Sequence, residues 1–213
     1  MDRINSFICY ADEDLKIAVE LSDSLRETFG FNSFLAKKSI TPSTKFIPTI
    51  LKVLKVTDLF FPLISKESES SSYANQEMGM AIAFDKTIVP IMLNVSSPCG
   101  FLSERQGIFY KDFENDSFRL AMKLFYYCIE GSFDELIKQK AHNSIIYSLQ
   151  NNTDFSITSR IMKLMTHIKT FDKIQLESIK RAIQTNRAVN QEKFAFPNFK
   201  DFLLKVYKIK VDY

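Results

Sequence analysis

The stretch Ser6-Phe7-Ile8-Cys9-Tyr10-Ala11-Asp12-Glu13-Asp14 passes within one short segment from an apolar run to an acidic turn. Ser6 to Tyr10 reads as a buried strand. From Asp12 to Phe29 the period changes: Leu15, Ala18, Val19, Leu25 and Phe29 return near every third or fourth residue, as one face of a helix does. Gly30 then stops that helix.

The same change of period recurs downstream. Asn32 to Ala36 reads as a second strand, the turn-like Ser39-Ile40-Thr41-Pro42-Ser43 follows, and Phe46 to Val56 reads as a helix with Pro48 near its first turn. Leu59-Phe60-Phe61-Pro62-Leu63-Ile64 is a third strand, although Pro62 removes one ladder donor. Serine-rich Ser65 to Ser72 is expected to be a loop. Tyr73 to Phe84 reads as a short helix, Thr87 to Leu93 as a fourth strand, Gly107 to Tyr110 as a short fifth, and Ser117 to Ile129 as a last helix.

Strand and helix alternate throughout, and parallel strands need crossovers that cover the sheet. The fold class predicted for residues 1–131 is therefore α/β, a flavodoxin-like parallel five-stranded sheet. Ligands of such sheets bind beyond the carboxyl ends of the strands. That directs attention to Tyr10 to Asp14, Lys37 to Ser43, Ser65 to Glu77 and Asn94 to Cys99.

After Gly131 the strand signals cease. Ser132-Phe133-Asp134-Glu135 has the form of a capping box opening a helix to about Gln150, and Asn151-Asn152-Thr153-Asp154 breaks it. Two amphipathic segments, Ile157 to Ile168 and Ile174 to Ile183, precede the turn-rich Asn186 to Pro197 and a final Phe199 to Tyr207. Residues 132–213 thus read as a small all-helical C-terminal module. Charge divides at the same point: 14 Lys/Arg against 17 Asp/Glu through Gly131, then 14 against 8.

Composition narrows the class. Hydrophobic residues at 46% and charged residues at 25% are those of an ordinary globular chain, and the longest apolar run is far too short to span a bilayer, so disorder and a membrane anchor are not expected. The start, Met1-Asp2-Arg3-Ile4-Asn5-Ser6, lacks the layout of a secretory signal. The expected compartment is cytoplasmic, with no glycan on the sequons at Asn94, Asn115 and Asn151. Three cysteines without CxxC spacing and two histidines without a paired ligand pattern predict neither a disulfide framework nor a metal site. Cys9, Cys99 and Cys128 read as small buried hydrophobes, and Met78, Met80, Met162 and Met165 as packing.

A five-stranded α/β domain with Asp12 and Asp14 after strand one invites comparison with phospho-accepting receivers, and Lys111 fits their lysine after the last strand. Their acceptor aspartate at the end of strand three is missing, because the third strand ends Ile64-Ser65-Lys66. Receiver chemistry is rejected on that ground.

Residues Ser6 to Ile129 instead resemble a TIR (Toll/interleukin-1 receptor) domain. Phe7-Ile8-Cys9-Tyr10-Ala11-Asp12-Glu13-Asp14 is similar to the opening "F-I-S-Y-S-x-x-D" box, with Cys9 where serine is usual. Phe34 to Ser43 resembles the second strand and BB loop. Ser72-Tyr73-Ala74-Asn75-Gln76-Glu77 resembles a compressed "S-x-W-x-x-x-E" region, and Ile88-Val89-Pro90-Ile91 the "V-I-P-I" strand. The four boxes occur in the family's order.

The resemblance implies one of two functions. Some TIR domains are scaffolds that associate with one another, here through the loop Lys37 to Thr44; others cleave NAD+ at the nicotinamide-ribose bond using a glutamate four residues after an aromatic. Glu77 and Tyr73 occupy those positions, one helical turn apart on one face. NAD+ is then substrate and no cofactor is needed. In bacterial members such activity often serves antiviral defence.

One carboxylate suffices for this chemistry. Glycosidases ordinarily need an acid for the leaving oxygen and a second carboxylate to attack or activate water. Nicotinamide leaves as a neutral molecule from a pyridinium cation, so no proton donor is required, and an ionised Glu77 stabilises the oxocarbenium-like ribose. A place in the first turns of a helix would favour the ionised form through the helix dipole. The competing reading makes Glu77 a solvated first-turn residue.

The resemblance also places Tyr10, Ala11 and Asp12 beside the nucleotide, and Thr41 near it in the BB loop. Lys38, with Lys37, either meets the pyrophosphate or merely solubilises the loop, and Tyr10 either lies beside the ligand or caps the core. The expected partners are NAD+, other TIR domains by self-association, and a protein partner at the helical module. The module's lysines are scattered rather than striped and no nucleic-acid motif is present, so docking or oligomerisation is expected there rather than nucleic-acid binding.

Overall fold

The computed structural model describes residues 1–35, 46–97, 100–130 and 133–209. They divide into a sheet unit, residues 4–25 and 32–124, and a helical unit, residues 1–3, 26–31 and 125–213. This partition is interleaved along the chain, unlike the linear division into 1–131 and 132–213.

In the sheet unit the strands are β1 (Asn5–Cys9), β2 (Asn32–Leu35), β3 (Leu59–Ile64), β4 (Thr87–Ile88), β5 (Ile91–Met92) and β6 (Ile108–Phe109). All pairings are parallel, in the order β2-β1-β3-β5-β6, with β4 also on β3. The expected fourth strand is the pair β4 and β5. One register offset relates both to β3, since Phe60 lies opposite Ile88 and Leu63 opposite Ile91. Continued between them, that offset sets Pro62 against Pro90. Phe60 and Ile64 accept from Val89 and Leu93 on that side, so the missing N–H of Pro62 faces the interruption between β4 and β5, which is how β3 carries a proline and stays central. With β4 and β5 taken as one interrupted strand, the order is that of a five-stranded flavodoxin-like sheet.

The helices of this unit are α1 (Leu15–Glu27, whose last two residues belong to the other unit), α2 (Phe46–Val56), α3 (Lys66–Ser70), α4 (Ser72–Ala83) and the first part of α5 (Ser117–Ile129). All six residues of β3 are buried. The core joins the two strand aromatics Phe7 and Phe60, stacked with centroids 5.2 Å apart, to Ile50 and Leu54 of α2 and Ala74 and Ala81 of α4.

Helix α3 corrects the expectation of a loop over Ser65 to Ser72. Ser65 accepts at Oγ from the Ser68 N–H (3.0 Å), and the Ser68 hydroxyl oxygen accepts from the Ser65 N–H (2.8 Å). This reciprocal cap satisfies the first-turn donors of a helix whose composition alone reads as coil.

The helical unit is built from α6 (Glu135–Asn151), α7 (Phe155–Met165), α8 (Lys173–Thr185), the short α9 (Arg187–Asn190) and α10 (Phe196–Tyr207). The cap of α6 is Asp134, which accepts from the Ile137 N–H (2.7 Å); the expected capping serine, Ser132, lies outside the described residues. Asp154 caps α7, and Asp172 with Gln175 forms a capping box on α8. Glu192 Oε2 accepts from the N–H groups of Phe194, Ala195 and Phe196 at 3.0, 2.5 and 2.9 Å, closing the turn before α10. Burial acts to raise the Glu192 carboxyl pKa, but these donors outweigh it and hold it below the ordinary value.

Short N-terminal pieces of chain complete this unit. Asn143 donates to the Asp2 carbonyl (3.0 Å), the Arg3 guanidinium lies 3.7 Å over the Tyr147 ring, and Asn152 donates to the Glu27 carbonyl (3.1 Å). Gly30 has φ +70, and a Cβ there would stand 1.9 Å from the Ser144 carbonyl oxygen. Its role as helix stop is therefore joined to a second one, letting α6 approach. Cys9 and Cys128 are buried, and burial drives the Cys128 thiol pKa upward; Cys99 lies outside the described residues. Among the described residues no helix is long and apolar enough to cross a membrane, and no cluster of three or more His, Cys, Asp or Glu is placed to hold a metal ion.

Gly30→Ala is expected to lower unfolding stability by at least about 2 kcal/mol, from the left-handed φ and the contact with Ser144 together, read by urea denaturation. His142, 5% exposed, has its pKa lowered to about 4 by burial first and by the Lys138 ammonium next, against the opposing carboxylates of Glu135 and Asp172. The unfolded chain therefore takes up this proton first as pH falls from about 6.5 toward 4, and the folded state loses up to about 1.4 kcal/mol per pH unit on that account. Urea midpoints for wild type and His142→Gln across that window should converge as pH falls.

Candidate functional site

The site expected from the sequence lies at the carboxyl ends of β1 and β3, both reached by the amino-terminal end of α4. Chain direction places it there: parallel strands end on one side, and each must turn into its crossover at that side.

From β1 the chain runs through Tyr10 and Ala11, 4% and 1% exposed, into a 3-10 turn over Asp12–Asp14. Asp12 and Glu13 are exposed, whereas Asp14 is 8% exposed. From β3 the chain turns at Ser65, whose hydroxyl donates to Asp14 Oδ2 at 2.6 Å. The place where a receiver would carry its acceptor aspartate is thus taken by a serine that holds an acid of the first loop. Burial raises the Asp14 pKa; the Ser65 hydrogen bond works against that rise, and the charges of Glu67 and Glu13 add to it.

Further polar contacts tie the loops together. Asn94 accepts from the Lys66 N–H (3.1 Å) and donates to Glu67 Oε2 (3.3 Å), joining the end of β5 to α3. Asn75 donates to the Glu69 carbonyl (2.9 Å), and Cys9 Sγ lies 3.6 Å from the Ala74 carbonyl oxygen, joining β1 to α4. Cysteine in place of serine thus still supplies a donor, a weak one.

Helix α4 is capped by Ser71, which accepts from the Ala74 N–H (3.3 Å). Its buried residues are Ala74, Glu77, Met78 and Ala81, the i, i+3, i+4, i+7 stripe that faces the core. Glu77 is 4% exposed and Tyr73 is 55% exposed. One turn of helix therefore spans from a tyrosine at the surface to a carboxylate in the interior. The solvated reading of Glu77 fails on this burial, since an ionisable side chain on an apolar stripe is costly and seldom placed there by packing alone. The helix-dipole argument fails too: α4 begins at Ser72, so Glu77 is its sixth residue and lies beyond the first-turn amides.

Of the other expected site residues, Tyr10, Ala11 and Asp12 lie together in the first loop. Lys38 and Thr41 fall outside the described residues, as does most of the BB loop. Asp14 and Ser65 are the pair the sequence reading passed over. The signal was a serine ending a fully apolar strand, where a buried hydroxyl needs a partner.

The family model described as TIR domain matches residues 7–123. Among solved structures, the TIR domain of the Toll-related receptor TRR-2 from Hydra magnipapillata is similar over 55% of this chain and 94% of its own, with 20% identity and a TM-score of 0.45. The TIR domains of the activated Roq1 resistosome recognising the pathogen effector XopQ are similar over 85% of this chain and 98% of theirs, with 12% identity and a TM-score of 0.40. Among proteins of curated function none matches.

Asp14 supplies a pH test of the site. Because its folded pKa lies above the ordinary 3.8, the unfolded chain ionises first as pH rises, and stability falls as pH climbs through the folded value. Asp14→Asn cannot ionise. Its stability relative to wild type should therefore improve from below pH 3.8 to neutrality in urea titrations; a constant difference would show that Asp14 is not desolvated.

Proposed function

The chain belongs to the TIR domain family, and on that premise we propose that it is an NAD+ glycohydrolase acting in the cytoplasm, in bacterial antiphage defence or signalling. The observation that carries the proposal is the burial of Glu77, at 4% exposure, on the helix that follows β3. A domain acting only as a scaffold has no use for a carboxylate withdrawn from its surface.

In the proposed reaction the bond between ribose C1′ and the nicotinamide nitrogen breaks, and its electron pair goes to nitrogen, discharging the pyridinium. Nicotinamide leaves neutral, so no side chain donates a proton. Positive charge develops on the ribose, and the Glu77 carboxylate lowers its energy by electrostatics and by accepting from ribose hydroxyls. Water then adds to C1′ and releases a proton to give ADP-ribose; an internal nucleophile of the same molecule in place of water gives a cyclic variant. No cofactor or metal enters these steps.

In this reading Tyr73, exposed one turn before Glu77, contacts the substrate, Tyr10, Ala11 and Asp12 lie beside the nucleotide, and Lys38 and Thr41 contribute from the BB loop. Burial of Glu77 also sets a condition. Substrate has to reach a carboxylate that solvent scarcely touches, so turnover requires opening of the site. Self-association with a second TIR domain is the proposed trigger.

Purified protein, concentrated and with a crowding agent, is expected to release nicotinamide from NAD+, followed by chromatography and mass spectrometry. Glu77→Ala and Glu77→Gln should each lose about 100-fold or more, the second because an amide keeps hydrogen bonding but not charge. The rate per molecule should rise with protein concentration. Release that survives both substitutions would overturn the assignment of Glu77, and biological activity that survives Glu77→Ala would favour a scaffold.

A further inference from the structure

A cleft of about 690 Å³ opens in the helical unit among the last turn of α5, the first half of α6 and the segment that joins α7 to α8. Its lining carries both signs of charge. Glu130 comes from the end of α5 and Lys169 from the joining segment, and both are exposed. Neither has a salt-bridge partner among the described residues. The other charges nearby are engaged: Lys138 Nζ lies 3.4 Å from Glu135 Oε2, and Asp172, whose charge reaches His142, accepts from the Gln175 N–H.

Glu130 directly follows α5, whose last turn holds no basic side chain. A carboxylate at the carbonyl end of a helix is opposed by the helix dipole, so this corner favours a cation brought from outside the chain. His142 lines the same cleft, 5% exposed, with its ring edge-on to Phe171 at 5.5 Å between centroids. Its pKa of about 4 keeps it neutral near pH 7, and its Nε2 is buried with no hydrogen-bond partner among the described residues. A neutral imidazole has one N–H and one lone pair, and leaving them unmatched in the interior is a cost that a polar ligand group removes. The broad χ2 torsion of histidine lets the ring turn to meet such a group. Ile129, Ile168 and the half-buried Tyr126 ring supply apolar area beside it.

We infer that this cleft binds a free α-amino acid whose aromatic side chain bears a hydrogen-bonding group. The ligand's ammonium meets Glu130, and its carboxylate meets Lys169 with the Thr170 hydroxyl beside it. Its side chain lies along Tyr126, Ile129 and Ile168, with its polar atom on His142. A ligand that is only an anion is opposed by Glu130, and one that is only a cation by Lys169. A neutral ligand takes water from both charges and replaces it for neither. The second imidazole of the lining, His167, is exposed and keeps its water. The volume is that of a small-molecule site. This inference does not rest on Glu77 or on NAD+ cleavage.

The test uses the full chain and three probes of one shape: L-tryptophan, tryptamine, which lacks the carboxylate, and indole-3-propionate, which lacks the ammonium. Affinity is read by titration calorimetry, and the place of binding by the proton–carbon NMR signals of the His142 ring. The chain has two histidines, so the signals lost in the exposed His167→Gln variant assign the others to His142. L-Tryptophan should bind more tightly than either relative by about fivefold or more and shift the His142 signals. Glu130→Gln should remove its advantage over indole-3-propionate and keep that over tryptamine; Lys169→Gln should do the reverse. Both positions are exposed, and urea midpoints check that the variants keep the fold. Equal affinity for the three probes, tighter binding of either singly charged one, preferences that survive these substitutions, His142 signals that stay in place, or no binding at about 10 mM probe would each overturn the proposal.

Discussion

Burial of Leu59–Ile64 on every side is the constraint from which the sheet unit follows. A strand with neighbours on both edges has no water for its backbone groups, so each must find a ladder partner or be absent. Pro62 meets that requirement by absence, set against Pro90 in a neighbour interrupted at the same level. Both faces carry apolar side chains, so helices must cover both, and the parallel crossovers supply them. The end of this strand then decides the site. Ser65, wholly buried, donates to Asp14 from one loop and caps α3 in the next, so one hydroxyl sets the spacing between the first and third loops.

Elements with a strong period were legible in the sequence. Phe46–Val56 and Leu59–Ile64 have the bounds read from their apolar spacing. Legibility failed where a single polar contact decides. The Ser65-Lys66-Glu67-Ser68-Glu69-Ser70 run has the composition of a loop and becomes a helix through the reciprocal Ser65 and Ser68 bonds, which spacing does not distinguish from ordinary turn serines. The interruption between Ile88 and Ile91 needed knowledge of register, since Pro90 alone marks a break in one strand and only Pro62 opposite it shows why the sheet tolerates it. The capping of α6 by Asp134 was one choice among adjacent cap residues.

At the candidate site the spacing of the residues was legible and their environment was not. Spacing set Tyr73 and Glu77 on one helical face, and that holds. Their exposures of 55% and 4% do not follow from spacing, because Glu77 lies on the buried stripe of Ala74, Met78 and Ala81 while Tyr73 lies at its edge. Glu77 is sixth in its helix and lies beyond the amides of the first turn. The same sheet end buries Asp14, whose hydroxyl partner only partly offsets desolvation.

The helical unit handles its charges by another rule. Glu192 accepts from three N–H groups of the turn before α10, and these bonds, with one from the Ser159 side chain, hold its pKa below the ordinary value against the burial that raises it. Had Glu192 formed an ion pair with Lys193 instead, the turn would lose its anchor. The packing that ends one helix and begins the next therefore also fixes where this carboxylate can act, because its oxygen is committed to the backbone of the turn.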